Sequence, residues 1–194
     1  MSIVLQGSTS GSVTLQEPAV AGTTVLTLPA VSGTVITTGT TGQVIDSGAL
    51  PVGSVLQVVN VDYGTETSNS TSTFSDTGLT ATITPKFATS KVLVFVNQEG
   101  CAKAANNTQL LLRLLRGSST ILNIDDYAGH TGDTSSNHIG ACSASYLDSP
   151  ATTSATTYKT QFASRGNNAV VYVQSYGSTS GNTRSTITLM EIAA

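Results

Sequence analysis

"LTATITPKFATSKVLVFVN", residues 79–97, sets two textures side by side. Leu79, Ala81 and Ile83 alternate with Thr80, Thr82 and Thr84, the period-2 pattern of a strand with one buried and one wet face. Beyond Pro85 and a short polar stretch, residues 91–97 read KVLVFVN, a nearly unbroken apolar run. A short run of that kind fits a strand covered on both faces, so it is placed at the centre of a sheet.

The same two textures continue on either side. Extended runs are SVLQVVNV (54–61), STSTF (70–74), QLLLRLLR (109–116), STILNI (119–124), HIGACSASYL (138–147), TTYKTQFA (156–163), AVVYVQ (169–174) and STITLMEI (185–192). Between them lie turn-rich pieces such as YGTETSNS (63–70), QEGCAKAANN (98–107), AGHTGDTSSN (128–137), SRGNN (164–168) and YGSTSGNT (176–183). Many short strands at this spacing predict an antiparallel sandwich, jelly roll or barrel. AVVYV is also nearly all apolar and is placed centrally. In QLLLRLLR, Leu110, Leu111, Leu114 and Leu115 also stand at helical spacing; the β neighbours favour a strand and leave the helix open.

Composition agrees with an all-β chain. Of 194 residues only 10% are charged, against roughly 25% in an average domain. Hydrophobic residues are 39% and the net charge is −3, so this is not the weakly hydrophobic, highly charged composition of a disordered chain. The eight basic residues are scattered from Lys86 to Arg184, and a nucleic-acid partner would need several on one face. No apolar run reaches membrane-span length, so no membrane insertion is expected. The first residues, MSIVLQGS, lack the basic and long apolar regions of a secretory signal. Cys101 and Cys142 are accordingly read as reduced, buried thiols.

Residues 1–45 differ from the rest. The first aromatic is Tyr63, and Glu17 is the one charge between Gly7 and Gly39. Gly11, Gly22 and Gly33 recur every 11 residues, each ahead of a short β-branched run, with a fainter copy at Gly42. Fixed periodicity of this kind predicts stacked β-structure. The 14 Val, Leu and Ile side chains of residues 1–48 are too few to offset the entropy of ordering that many residues. The segment is therefore expected to be completed by other chains. Residues 46–53 read as a linker and 54–194 as the sandwich domain.

The opening GSTSGSVTLQEPAVAGTTVLTLPAVSGTVITTG (7–39) resembles the N-terminal segment of tailed-bacteriophage fibre and virion structural proteins. The order ITPKFATSKVLVFV, LLRGSSTIL, YLDSPATTSATTYKTQFAS, STITLMEI resembles a β-sandwich module found near the C-terminus of phage tail fibres. The resemblance implies a short extended N-terminal stalk followed by an antiparallel, jelly-roll-like sandwich in a homotrimer. It also implies location in the virion, on the tail or capsid surface, with residues 1–45 held by other virion proteins. The heads would then meet a host-surface glycan or protein. A capsid decoration protein, or head fibre, is the alternative within that class.

Chemistry-bearing motifs are sparse. GSTSG at 7–11 and 177–181 places Thr9 or Thr179 where a nucleophile elbow has Ser, and both read as turns. The richest polar stretch, DDYAGHTGDTSSNH (125–138), holds Asp125, Asp126, Tyr127, His130, Asp133 and His138. Its spacing fits no zinc or calcium pattern, so no metal, cofactor or catalytic residue is assigned. As a long loop on a rigid sandwich it is the first candidate for surface recognition. Tyr127 and Tyr176 border loops and could offer a stacking face to a sugar; Tyr158 and Tyr172 lie within strands and read as core or interface. A glycan-cleaving enzyme is the less favoured alternative. It would need two carboxylates facing each other across a groove, from Asp125, Asp126, Asp133 and Asp148.

Overall fold

The computed structural model describes residues 3–6, 9–15, 50–133, 137–175 and 183–194. The chain divides into two units, Met1–Gln43 and Val44–Ala194. In the first, β1 (Ile3–Gln6) and β2 (Ser12–Leu15) form an antiparallel hairpin with Ile3 opposite Leu15 and Gln6 opposite Ser12. Gly11 turns it with φ +79, a left-handed conformation natural to glycine. The predicted repeats at Gly22, Gly33 and Gly42 and residues 46–49 of the linker lie outside the described residues.

The second unit has no helix among its described residues and two antiparallel sheets. Its strands are β3 (Val55–Tyr63), β4 (Thr67–Asn69), β5 (Ser75–Ile83), β6 (Lys91–Lys103), β7 (Gln109–Arg116), β8 (Ser119–Ala128), β9 (Asn137–Asp148), β10 (Thr156–Arg165), β11 (Val171–Val173) and β12 (Ser185–Ile192). One sheet orders its long strands β3-β12-β6-β9, with β11 and β4 beside the far half of β6. The other orders them β5-β10-β7-β8. Numbered along the chain, the eight long strands pair 1-8-3-6 and 2-7-4-5. That is the connectivity of a jelly-roll sandwich.

The opening stretch holds its two textures. Leu79, Ala81 and Ile83 are buried while Thr80 and Thr82 are exposed. In KVLVFVN, Val92, Val94 and Val96 are buried, and β6 runs between β12 and β9 as a central strand. Leu93 and Phe95 point the other way, and Phe95 is 42% exposed. The continuous run thus has one covered face and one uncovered. The ambiguous leucine segment is strand β7, since Leu110, Leu112 and Leu114 fill the sandwich interior. STSTF is corrected: residues 71–73 are a bend, and Thr67–Asn69, read as part of a turn, forms β4 instead. Asn69 decides this locally, because its side-chain amide donates to Thr73 O at 2.9 Å and Phe162 O at 3.0 Å.

Two apolar clusters fill the interior. One gathers Leu79, Ile83, Val92, Val94, Leu114, Tyr158 and Leu189; the other gathers Cys101, Leu110, Leu112, Phe162, Val171 and Val173. A buried polar ladder crosses between the sheets. Thr77 and Thr160 hydroxyls meet at 2.6 Å, Thr160 donates to Gln98 Oε1 at 2.9 Å, and Gln98 donates to Ser185 Oγ at 2.9 Å. Buried polar groups persist when bonded in this way. Near the chain's entry, Asp148 on β9 accepts from Tyr158 Oη at 2.7 Å and from Arg116 Nη1 at 2.8 Å. That joins three strands from both sheets. Burial and the neighbouring Asp148 carboxylate both push the Tyr158 phenol up, so it stays a donor.

The two ends of the sandwich differ. At one end the chain enters: Gly53 N donates to Ala193 O at 2.8 Å and Ala193 N to Ser54 O at 2.9 Å. The short connections 117–118 and 149–155 and the turn after β5 share this end. Among the described residues, 64–74, 104–108, 129–133, 166–170 and 183–184 gather at the other.

Candidate functional site

The candidate surface lies at the end remote from chain entry. The stretch 125–138 is not one loop. Asp125, Asp126 and Tyr127 close β8, and His138 lies in β9 paired with Ala102. The connection itself is 129–136, and Gly129 turns it with φ +68. The strands run on because β7 and β6 continue to offer partners, with Leu112 opposite Asp125, Leu110 opposite Ala128 and Ala102 opposite His138.

Among the described residues, Tyr127 is the most exposed aromatic of this end, at 58%. Asp125 Oδ1 accepts from the Tyr127 amide at 2.8 Å and holds the backbone there. His130 meets the Tyr127 ring edge-on, with centroids 6.1 Å apart and planes at 71°. The Arg165 guanidinium lies 5.2 Å from the ring centroid, within cation–π range. Asp126 and Asp133 are exposed. Asp125, Asp126, Tyr127 and His130 are therefore consecutive parts of one surface.

Three connections lock together beneath it. Asn107 N and Lys103 Nζ both donate to Thr131 O, at 2.9 and 3.4 Å, and Lys103 also donates to Thr131 Oγ1. Lys103 is buried, 1% exposed. Asn167 Nδ2 donates to Asn106 O at 2.8 Å, and Thr108 Oγ1 donates to Asn167 Oδ1. Asn107 and Asn168 carry φ of 51 and 56, a region Asn tolerates better than most residues. Gly166 has φ +105, and a Cβ there would lie 2.0 Å from Asn107 O. The candidate surface thus stands on an asparagine-rich base of interlocking hydrogen bonds.

His138 is exposed but belongs to a separate hollow of about 350 Å³ with Glu99, Cys101, Ser175 and Thr183. Tyr176 and the second GSTSG lie outside the described residues. Tyr158 is core, and Tyr172 is half-buried in β11. Asp148 sits at the chain-entry end, bonded to Arg116 and Tyr158, so it does not face Asp125 or Asp126 across a groove. Among the described residues no cluster of three or more His, Cys, Asp or Glu could hold a metal ion. Cys101 and Cys142 are free and buried. The contact with Cys142 and burial both hold the Cys101 thiol protonated.

Sequence reasoning missed Arg165, Lys103, Asn107 and Asn167. Each lies on another strand or loop, and only the pairing of β10 with β7 and the chain path beyond β6 bring them beside Tyr127.

This end belongs to an antiparallel β-sandwich, the class of protein that the topology defines. No family model matches the chain and no curated protein matches it. Among solved structures it is similar to the infectious bursal disease virus VP2 subviral particle, at 12% identity and TM-score 0.39, over 71% of this chain and 37% of that one. It is also similar to the structure of infectious bursal disease virus Gt strain, at 13% identity and TM-score 0.36, over 98% of this chain and 46% of that one. The chain spans less than half the length of either.

Proposed function

We propose that this chain is a structural virion component, a short trimeric phage fibre. Residues 1–45 attach it to other virion proteins and the sandwich heads present the Tyr127 surface to a host-cell glycan or protein. One observation carries the reading: the sandwich is polarised. The chain enters beside its own C-terminal strand at one end, while Tyr127, His130 and Arg165 converge on the other. A head held by its leading segment would therefore turn that surface outward. Three such surfaces on one rigid trimer would act together, so that avidity compensates for a weak single site. The charge-poor N-terminal repeat supports close packing of copies, because like charges would otherwise meet at short range.

The reading contains no catalytic step. Its test is competition. Purified chain added to host cells should block adsorption of particles bearing it, and Tyr127→Ala should lose that block while keeping its thermal stability. Undiminished adsorption at saturating protein would overturn the adhesive role. Electron microscopy of particles with the chain gold-labelled separates a tail fibre from a capsid decoration.

A further inference from the structure

The exterior of the β3-β12-β6-β9 sheet is built unlike a solvated surface. Residues directly opposite each other in paired strands share a face. Val58 pairs with Met190, Met190 with Leu93, and Leu93 with Leu147. Four apolar side chains thus cross the whole sheet in one row. Val58 is 54% and Leu147 49% exposed. Phe95 stands in the next row, with Asn60, Thr188 and Ser145. Toward the chain-entry end the next row holds Ile192 and Val55, the latter 50% exposed, and ends the apolar ground at the exposed Lys91 opposite Ile192.

The other sheet's exterior is the opposite. There Lys159 meets Asp76 at 2.9 Å and Arg113 donates to Gln161 at 2.6 Å, with its guanidinium over Phe74. One face of the sandwich is made for water and the other is not. This explains why KVLVFVN reads as a strand covered on both sides.

We infer that the β3-β12-β6-β9 face is where copies of this chain pack against one another, the strands running along the symmetry axis. The inference rests on the trimeric reading above and names its interface. Charge selects the occupant. The three central rows hold one charged residue, Asp62, and it is paired with Arg184. Lys91, opposite Ile192, stands at the chain-entry border of these rows. The rows through Val58 and Asn60 therefore offer no charge to a charged partner, and a second copy lays only uncharged side chains against them. The polar groups on it already bond sideways, Asn60 to Thr188 at 2.7 Å and Ser143 to Asn97 at 2.6 Å. Covering them strands few donors or acceptors.

Orientation follows from attachment. Copies held through their leading segments point the same way, so each row meets its own equivalent, apolar against apolar. The small side chains of Ser143, Ser145, Thr186 and Thr188 leave a shallow depression of about 430 Å³ beside Phe95, which has room for a neighbour's Phe95 ring.

The test uses the full chain with single cysteines introduced: Leu147→Cys and Val58→Cys on this face, and Asn123→Cys on the other sheet's exterior. All three positions are exposed in the single chain, so the variants should fold, and a thermal melt checks that they do. Sedimentation gives the oligomeric state and maleimide labelling gives accessibility. The expected result is a trimer in which Leu147→Cys and Val58→Cys label roughly tenfold or more slower than Asn123→Cys, as in a water-excluded interface. A trimer in which all three label equally fast overturns this interface and leaves the trimeric reading standing. A monomer overturns both.

Discussion

Thr160 on β10 donates a hydrogen bond of 2.9 Å to Gln98 Oε1 on β6, across the interior from one sheet to the other. Both side chains are fully buried. The bond belongs to the ladder that continues through Ser185 to Gln174, whose Nε2 donates to Ser185 Oγ at 3.0 Å. Thr160→Val keeps the shape and removes the hydroxyl. It should cost about 1–3 kcal/mol, because Gln98 Oε1 is left without its donor in an apolar setting. Adding Gln98→Met should recover part of that loss. Urea unfolding of the two singles and the double measures the coupling; strict additivity would mean the bond contributes little.

Glu191 should contribute to the pH dependence of stability on the acid side. Its buried carboxylate accepts from Gln57 Nε2 at 2.5 Å and from the Lys86 and Phe87 amides at 2.7 and 3.4 Å. Burial works to raise its pKa, but the hydrogen bonds outweigh it and hold the group below the ordinary glutamate range. The unfolded chain therefore takes up a proton at higher pH than the folded chain. The stabilisation is complete above the ordinary carboxylate range and is lost as pH falls through the folded value. Glu191→Gln should lower the neutral-pH plateau by about 1–3 kcal/mol and flatten the acid limb of melting temperature against pH. An unchanged acid limb would assign the sensitivity elsewhere.

The loop base can be tested without touching the exposed surface. Lys103→Met keeps most of the buried volume and removes both hydrogen bonds to Thr131. Amide exchange at residues 129–133 should quicken while the β5-β10-β7-β8 core stays protected. Gly166→Ala should act more harshly. Its left-handed φ and the 2.0 Å approach to Asn107 O leave no room for a Cβ, and a loss of about 2–4 kcal/mol is expected. Exchange unaffected by Lys103→Met would remove the lysine from its anchoring role.

The native thiols should be inert. Cys101 and Cys142 are buried in the interior cluster with Phe162 and Val173. Thiol reagents need a thiolate and access. Both cysteines should react only on unfolding, with labelling rates that follow the unfolding equilibrium. Rapid labelling of folded protein would show that the region around Cys101 opens on its own.

How far the residues alone reach can be judged strand by strand. STITLMEI is β12 with both its ends, and TTYKTQFA lies within β10, because strict alternation leaves one way to bury the apolar half. STSTF failed because Ser, Thr and Asn hydrogen-bond to nearby backbone as readily as they extend, and Asn69 does so. The stretch 125–138 was legible as polar and functional-looking. Its division between β8, a loop and β9 was not, since strand length there is set by what the neighbouring strands offer.

The amino-acid order determined the all-β class, most strand positions, the apolar poverty of residues 1–48 and the singular character of KVLVFVN. Those are properties of local backbone preference and of the count of side chains available for burial. Tertiary structure alone decided that the long strands pair 1-8-3-6 and 2-7-4-5. It decided that Arg165 and Lys103 reach Tyr127's end of the molecule, and that Val58, Met190, Leu93 and Leu147 fall into one exterior row. Pairing between distant strands depends on which faces fit together in three dimensions, and period-2 alternation says that a face exists without saying what lies opposite it.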